Sequence, residues 1–395
     1  MSPFSLHPPS RAEHVGSLLR PKSLLEKREQ FSSNQCTAEE LRAAEDAAIA
    51  SVVKLQQEIG LKTITDGEFR RAAFYDGMFD KLEGMTFVPD KPLSTCKSYL
   101  PYIQVYRAMG FDVIPSVYCT GKIKRTEGVY TADFEYLRSL VAPEEVKQLK
   151  ITICSPIWLH IRHGSHETYD LSVYHNDAEY FADLTKAWRE EIRALHELGC
   201  RHIQIDDPSF CFFCADSMIS GMQEAGEDYE TLLSQYINVY NDILNDRPED
   251  LIVGIHMCRG NYRGTHYCEG GYERIAARLF KELNVNCFYL EYDNERAGGL
   301  EPLRHLPTNK IVVLGLVSTK TEVLETLDDI KTRIEQAVNI IAEGYPKRTR
   351  HVALQQICIS PQCGFASTAE GNPIKEQDQR RKLDLIVEAA RVIWP

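Results

Sequence analysis

LIVGIHMC, residues 251–258, is a short continuous apolar run that ends on a histidine and a cysteine. A run of β-branched and aliphatic residues with no polar alternation fits a strand buried on both faces, and such strands belong to parallel sheets covered by helices. Working outward, similar runs recur at 61–68 (LKTITDGE), 112–123 (DVIPSVYCTGKI), 149–157 (LKITICSPI), 202–208 (HIQIDDP), 287–293 (CFYLEYD), 310–318 (KIVVLGLVS) and 351–360 (HVALQQICIS), which makes eight in all. Between them lie charged amphipathic stretches such as Ala178–Leu198 and Lys320–Glu343, with apolar positions three and four apart. Strand and helix in alternation imply parallel pairing with the helices outside, and eight such units close a (β/α)8 TIM barrel of the α/β class.

The chain of 395 residues is read as one barrel domain over 1–395, with about 1–55 as an N-terminal helical extension packing on it. Within that extension Thr37–Leu55 reads as a helix opened by a capping box of Thr37 and Glu40. The proline-containing stretch Lys81–Met109 reads as an irregular loop insertion over the barrel mouth.

Barrel active sites lie at the C-terminal ends of the strands, and Asp66, Glu68, Asp206, His256, Cys258 and Glu291 all fall there. In an extended segment residues two apart share a face, so His256 and Cys258 project together about 7 Å apart along the strand, a workable chelating pair. With Glu291 and Cys363 they have the chemistry of one tetrahedral zinc site. Two thiolates and a carboxylate exceed the charge of the ion by one, which makes it a poor activator of water and suits it to a substrate thiol. Taken singly, each residue has an ordinary reading: a packed histidine beside a buried thiol, a strand-end carboxylate in an ion pair, a cysteine in a turn. Two rival metal constellations are the Cys211–Cys214 pair, read as lining of the barrel mouth, and His160, His163 and His166, read as imidazoles of an irregular loop and ranked second as ligands.

The segments HVGSLLRP (14–21), TITDGEFRR (63–71), IQIDDP (203–208), GIHMC (254–258), YLEYD (289–293) and SPQCG (360–364), in this order, resemble the catalytic C-terminal barrel of the cobalamin-independent methionine synthase family and its short stand-alone relatives. The resemblance spans nearly the whole chain. It implies Zn2+ held by His256, Cys258, Glu291 and Cys363, and homocysteine held by Ser17, Glu68 and Asp206. The implied activity is that of a zinc-dependent S-methyltransferase of the 5-methyltetrahydropteroyltriglutamate–homocysteine type, passing a methyl group to homocysteine or a related small thiol through a zinc-bound thiolate. For Glu68 and Asp206 the ordinary alternative is pairing with Arg70, Arg71 or Arg201.

Three positions depart from the family pattern. Lys320, in GLVSTK, stands where the family carries a proton-donating histidine and becomes the candidate donor; Phe212 stands for a folate-contacting glutamate, and Arg162 falls near an expected tryptophan. The thiol half of the site is thus kept and the donor half altered. Lys320 and Arg162 would alternatively meet an anionic donor or sulfonate, or be ordinary solvated or ion-paired cations. Two other functions stay open: an alkyl transferase that opens an epoxide with a thiol such as coenzyme M, and a non-catalytic zinc- or thiol-binding protein.

Composition narrows the partners. A net charge of −12 with no basic run argues against a nucleic-acid partner. Twelve cysteines in a long chain with no apolar leader read as reduced thiols of a cytoplasmic protein. No stretch approaches the roughly 18 apolar residues of a membrane span.

Overall fold

The computed structural model describes residues 10–395. Eight strands are recognised: β1 Glu83–Pro92, β2 Val113–Lys124, β3 Lys150–Cys154, β4 His202–Asp206, β5 Ile252–Met257, β6 Cys287–Glu291, β7 Ile311–Val317 and β8 Ile357–Pro361. The last six form one parallel sheet in sequence order. Their register carries Cys154 beside Asp206 and Asp206 beside His256, so the polar strand ends are level with one another.

Two further short segments complete the barrel. Ala12 pairs in parallel with Ile359 on β8, through Glu13 N–H to Ile359 O at 2.8 Å and Ile359 N–H to Arg11 O at 2.9 Å. Ile64 pairs in parallel with Leu149, and the Lys150 N–H donates to Ile64 O at 2.8 Å. The two segments meet through the Thr65 hydroxyl on Gly16 O at 2.9 Å and the Leu18 N–H on Gly67 O at 3.1 Å. The protein is an α/β TIM barrel.

The run 112–123 is a correction to the sequence reading. It forms β2, antiparallel to β1 and outside the barrel, and the vacated position is filled by residues 11–13. The physical difference is visible in burial: β2 alternates between exposed and buried residues along part of its length, whereas β3, β4 and β6 are buried throughout. Residues 11–13 escape notice because two of the three, Arg11 and Glu13, are charged. Glu13 points into the barrel, where it accepts from Lys150 Nζ at 3.1 Å and from the Tyr289 hydroxyl at 3.0 Å. Part of the expected N-terminal extension is therefore barrel wall, and residues 1–9 of it lie outside the described residues.

Within the extension a helix spans Ala38–Ile59, after a shorter one at Lys22–Ser32, and opens on the expected capping box, with Glu40 N–H on Thr37 Oγ1 at 3.2 Å and Thr37 N–H on Glu40 Oε2 at 2.8 Å. Asn176 and Thr326 cap the outer helices Asp177–Glu197 and Leu327–Glu343. Residues 320–326, expected to be helical, form a loop.

The insertion after residue 81 is more ordered than its prolines suggest. It comprises β1, a single 3-10 turn at Leu93–Thr95 and the helix Pro101–Ala108, whose first position suits proline. At Gly84, with φ of +88°, a β-carbon would stand 2.5 Å from Lys122 O, so the bulge that bends β1 onto β2 needs glycine. Among the described residues no helix is long and apolar enough to cross a membrane.

Candidate metal centre and substrate cavity

His256 and Cys258 close β5, Glu291 is the last residue of β6, and Cys363 follows β8 by two residues. The barrel brings one ligand atom of each to within 4.8 Å of all the others, and this is the metal-competent group among the described residues. All four side chains are buried. Cys258 Sγ and Cys363 Sγ lie 3.2 Å apart, and the Gly260 N–H donates to Cys258 Sγ at 3.1 Å. Both ring nitrogens of His256 and Oε1 of Glu291 lack a hydrogen-bond partner.

Buried polar atoms are nearly always satisfied, so an unpartnered imidazole nitrogen and an unpartnered carboxylate oxygen converging with two sulfurs fit a cation. The thiols behave as a pair sharing one proton. The hydrogen bond from Cys258, together with His256, holds Cys363 well below the ordinary thiol range, while the same bond and burial push Cys258 up. Glu291 Oε2 accepts from Arg296 Nη2 at 3.1 Å, which fixes the carboxylate from behind.

Beside the four lies a cavity of about 680 Å3 that also exposes Ser17, Glu68 and Asp206. Glu68 has a left-handed backbone, φ 61°, pinned by its N–H to Asp66 Oδ1 at 2.9 Å. Its Oε1 accepts from Thr152 Oγ1 at 2.7 Å and its Oε2 has no partner. Gly16 lets the preceding loop approach this carboxylate, since a β-carbon there would be 3.1 Å from Glu68 Oε1 and 2.5 Å from Thr152 Cγ2. Ser17 packs on Gly364, where a β-carbon would be 1.9 Å from the hydroxyl oxygen. Asp206 accepts from Gln204 Nε2 at 2.7 Å, and burial together with the Glu68 charge lifts its pKa to about 7.

The alternative pairings are not made. Arg70 binds Glu45, Asp46 and Asp133, and Arg201 binds Asp250. Arg71 donates to Thr152 Oγ1 at 3.0 Å and packs 4.4 Å from the Tyr130 ring, close enough for its charge to favour ionised Glu68 without an ion pair. Its role was hidden in the sequence because Thr152 is so distant along the chain.

Lys320 is half-buried and does not line the cavity. Its Nζ donates to Gly260 O at 2.9 Å and Asn261 Oδ1 at 3.0 Å, which pins the loop after Cys258 and leaves its charge near the thiols. Of the 211–214 stretch only Phe212 reaches the cavity; Cys211 is buried and donates to Met257 O at 3.3 Å, a correction to its reading as lining. His160 is tied to the Tyr236 hydroxyl at 2.9 Å and to Asp177, and His163 to Ser116 Oγ at 2.9 Å, both on the helix Trp158–His163, and neither belongs to the metal-competent group.

Comparison with known proteins gives the family. The sequence profile described as "Cobalamin-independent synthase, Catalytic domain" matches residues 161–392. The uncharacterized protein YxjH of Bacillus subtilis is 36% identical, with 98% of this chain and 95% of that protein covered. A methionine synthase of Saccharolobus solfataricus is 25% identical over 93% of this chain and 95% of its own length. Among solved structures, a Listeria monocytogenes chain provisionally assigned as a vitamin-B12-independent methionine synthase is 34% identical, covers 98% of both chains and superposes with a TM-score of 0.72. A B12-independent methionine synthase from Shewanella, solved with selenomethionine, shares the fold at 18% identity and a TM-score of 0.65, with 96% of both chains covered. By profile, by relatives and by fold, the chain belongs to the cobalamin-independent methionine synthase catalytic-domain family.

Proposed function

We propose that this protein is a zinc-dependent S-methyltransferase whose acceptor is homocysteine or a closely related amino thiol. The observation that carries the reading is the convergence of four ligand atoms within 4.8 Å beside a cavity that offers an unpartnered carboxylate oxygen of Glu68. His256, Cys258, Glu291 and Cys363 would hold the ion, and zinc, when bound, lowers the pKa of a substrate thiol so that its sulfur is nucleophilic near neutral pH.

Glu68 and Asp206 receive the substrate ammonium. Burial disfavours two negative charges side by side, and an arriving cation relieves that cost. The same pair disfavours a sulfonate thiol such as coenzyme M, which brings a negative charge and no ammonium. Ser17, which lines the same cavity, is the hydroxyl that takes the substrate carboxylate in this reading. The sulfur then forms a bond to the donor methyl carbon while the leaving group departs with its electron pair. Where the leaving group needs a proton, Lys320 or a water supplies it, and for Lys320 to do so its amine must release Gly260 O and Asn261 Oδ1.

The test is zinc content by elemental analysis together with homocysteine S-methylation. Cys258→Ser and Cys363→Ser each lose zinc and methylation together. Stoichiometric zinc and undiminished methylation in either variant would overturn the ligand set, and zinc without turnover across folate and simple methyl donors would favour a binding protein.

A further inference from the structure

We infer that the second substrate, the one that brings the alkyl group, carries a single carboxylate or sulfonate held by Arg162, with a flat apolar body laid against the surrounding aromatic rings. This deepens the methyltransferase reading and rests on it for the word substrate. The site itself is carried by geometry. Arg162 is only 3% exposed, yet it makes no ion pair among the described residues: Nη1 reaches Pro115 O at 3.4 Å and Nε has no partner. An unpaired buried charge is costly, so the position calls for an anion.

The guanidinium is caged by rings, 4.6 Å from the centroid of Trp158, 5.6 Å from Tyr102 and 5.7 Å from Tyr75. Tyr102 stacks on Phe212 at 5.5 Å, which extends the flat surface across the cavity. Cation–π contacts partly compensate the charge and leave the fork of N–H groups available to a planar acceptor.

Charge arithmetic limits the ligand. Among the described residues Arg162 is the sole Lys or Arg lining the cavity, whose lining also includes Asp76, Asp80 and Glu370. One cation among carboxylates accepts one negative charge and repels a polyanion such as a polyglutamate tail. The thiol substrate's own carboxylate is a poorer fit, because Arg162 lies under the insertion, with the Lys97 N–H on its carbonyl at 2.9 Å, and its guanidinium is packed among the rings of Trp158, Tyr102 and Tyr75.

The experiment titrates the zinc-loaded protein with benzoate, benzenesulfonate and the uncharged isostere benzamide, followed by Trp fluorescence and repeated with Trp158→Phe to assign the signal. Benzoate and benzenesulfonate are expected to bind at least tenfold tighter than benzamide. Arg162→Met abolishes that preference while leaving benzamide unchanged, and Arg162→Lys retains part of it, so a loss of folding is separable from a loss of charge. Equal affinity for benzoate and benzamide, or an undiminished preference in Arg162→Met, overturns the proposal. So does competition between benzoate and homocysteine accompanied by loss of homocysteine binding in Arg162→Met, which would give Arg162 to the thiol's carboxylate. Zinc content and the homocysteine isotherm are read on the same samples: their failure with the benzoate preference intact would sink the methyltransferase reading and leave the anion site standing.

Discussion

His14 shows how one residue of the barrel wall couples folding to proton uptake. Its ring is buried beside Lys150 with Nε2 against Thr63 O at 3.2 Å, and burial, then the Lys150 charge, lowers its pKa to about 3. His202 is lowered to about 4 for the same reasons. In the unfolded chain both take a proton near pH 6.5, which the folded barrel refuses, so the unfolded state binds more protons as pH falls. Their contribution is full above pH 6.5 and is lost on descending toward pH 4 and then 3, at up to about 1.4 kcal/mol per pH unit for each group. His14→Gln is expected to flatten the acid limb of a Tm-against-pH curve between these limits, and an unchanged slope would refute the assignment. At this scale legibility was uneven. His256 and Cys258 announce themselves by a spacing of two on a strand, whereas Glu291 is marked only by its strand end and Cys363 is a single residue, and family resemblance is what assigns both to the metal. The aromatic cage of Arg162 was beyond reach because Tyr75, Tyr102 and Trp158 come from three separate segments, and no local pattern links them.

Among the elements, the hairpin of β1 and β2 forms part of the cavity wall, since Phe87 and Val117 of its two strands line it. Its bulge at Gly84 is the weak point. Gly84→Ala meets Lys122 O at 2.5 Å from a left-handed backbone, so the hairpin must shift or unpair there. The expected outcome is faster amide exchange across Met85–Val88 and weaker benzoate binding with zinc content unchanged; loss of zinc in this variant would show that the hairpin also supports the metal centre. The elements also show where pattern reading succeeds. Runs buried on both faces, such as β4 and β6, and the Thr37 capping box are written in consecutive residues. The run at 112–123 misleads because a half-buried hairpin strand is also rich in Val, Ile and Tyr. Residues 11–13 are missed for the opposite reason: their partners Lys150, Tyr289 and Ile359 lie far along the chain, and polar side chains inside a barrel look like loop.

For the whole molecule, the four candidate ligands tie together the ends of β5, β6 and β8, and β8 also closes the barrel against residues 11–13. Arg11 reinforces that seam, donating to Gln355 O at 3.0 Å and Ile357 O at 2.8 Å. A cation at the tetrad therefore staples half of the ring at the mouth while the seam holds it along its length. Binding that is confined to the folded state stabilises it by about 2.7 kcal/mol at a hundredfold excess over Kd. Without the cation, a His256 nitrogen and Glu291 Oε1 that it would engage stay buried and unpartnered, which costs the fold further. Chelation is thus expected to lower Tm by several degrees, with full recovery on adding zinc and no response to either treatment in Cys363→Ser. Calorimetric melts of the purified chain with chelator, with zinc and in that variant supply the measurement. A Tm indifferent to chelation in zinc-containing protein would mean that the ion is not held between these strands, whereas a response that persists in Cys363→Ser would move the metal to ligands other than these four.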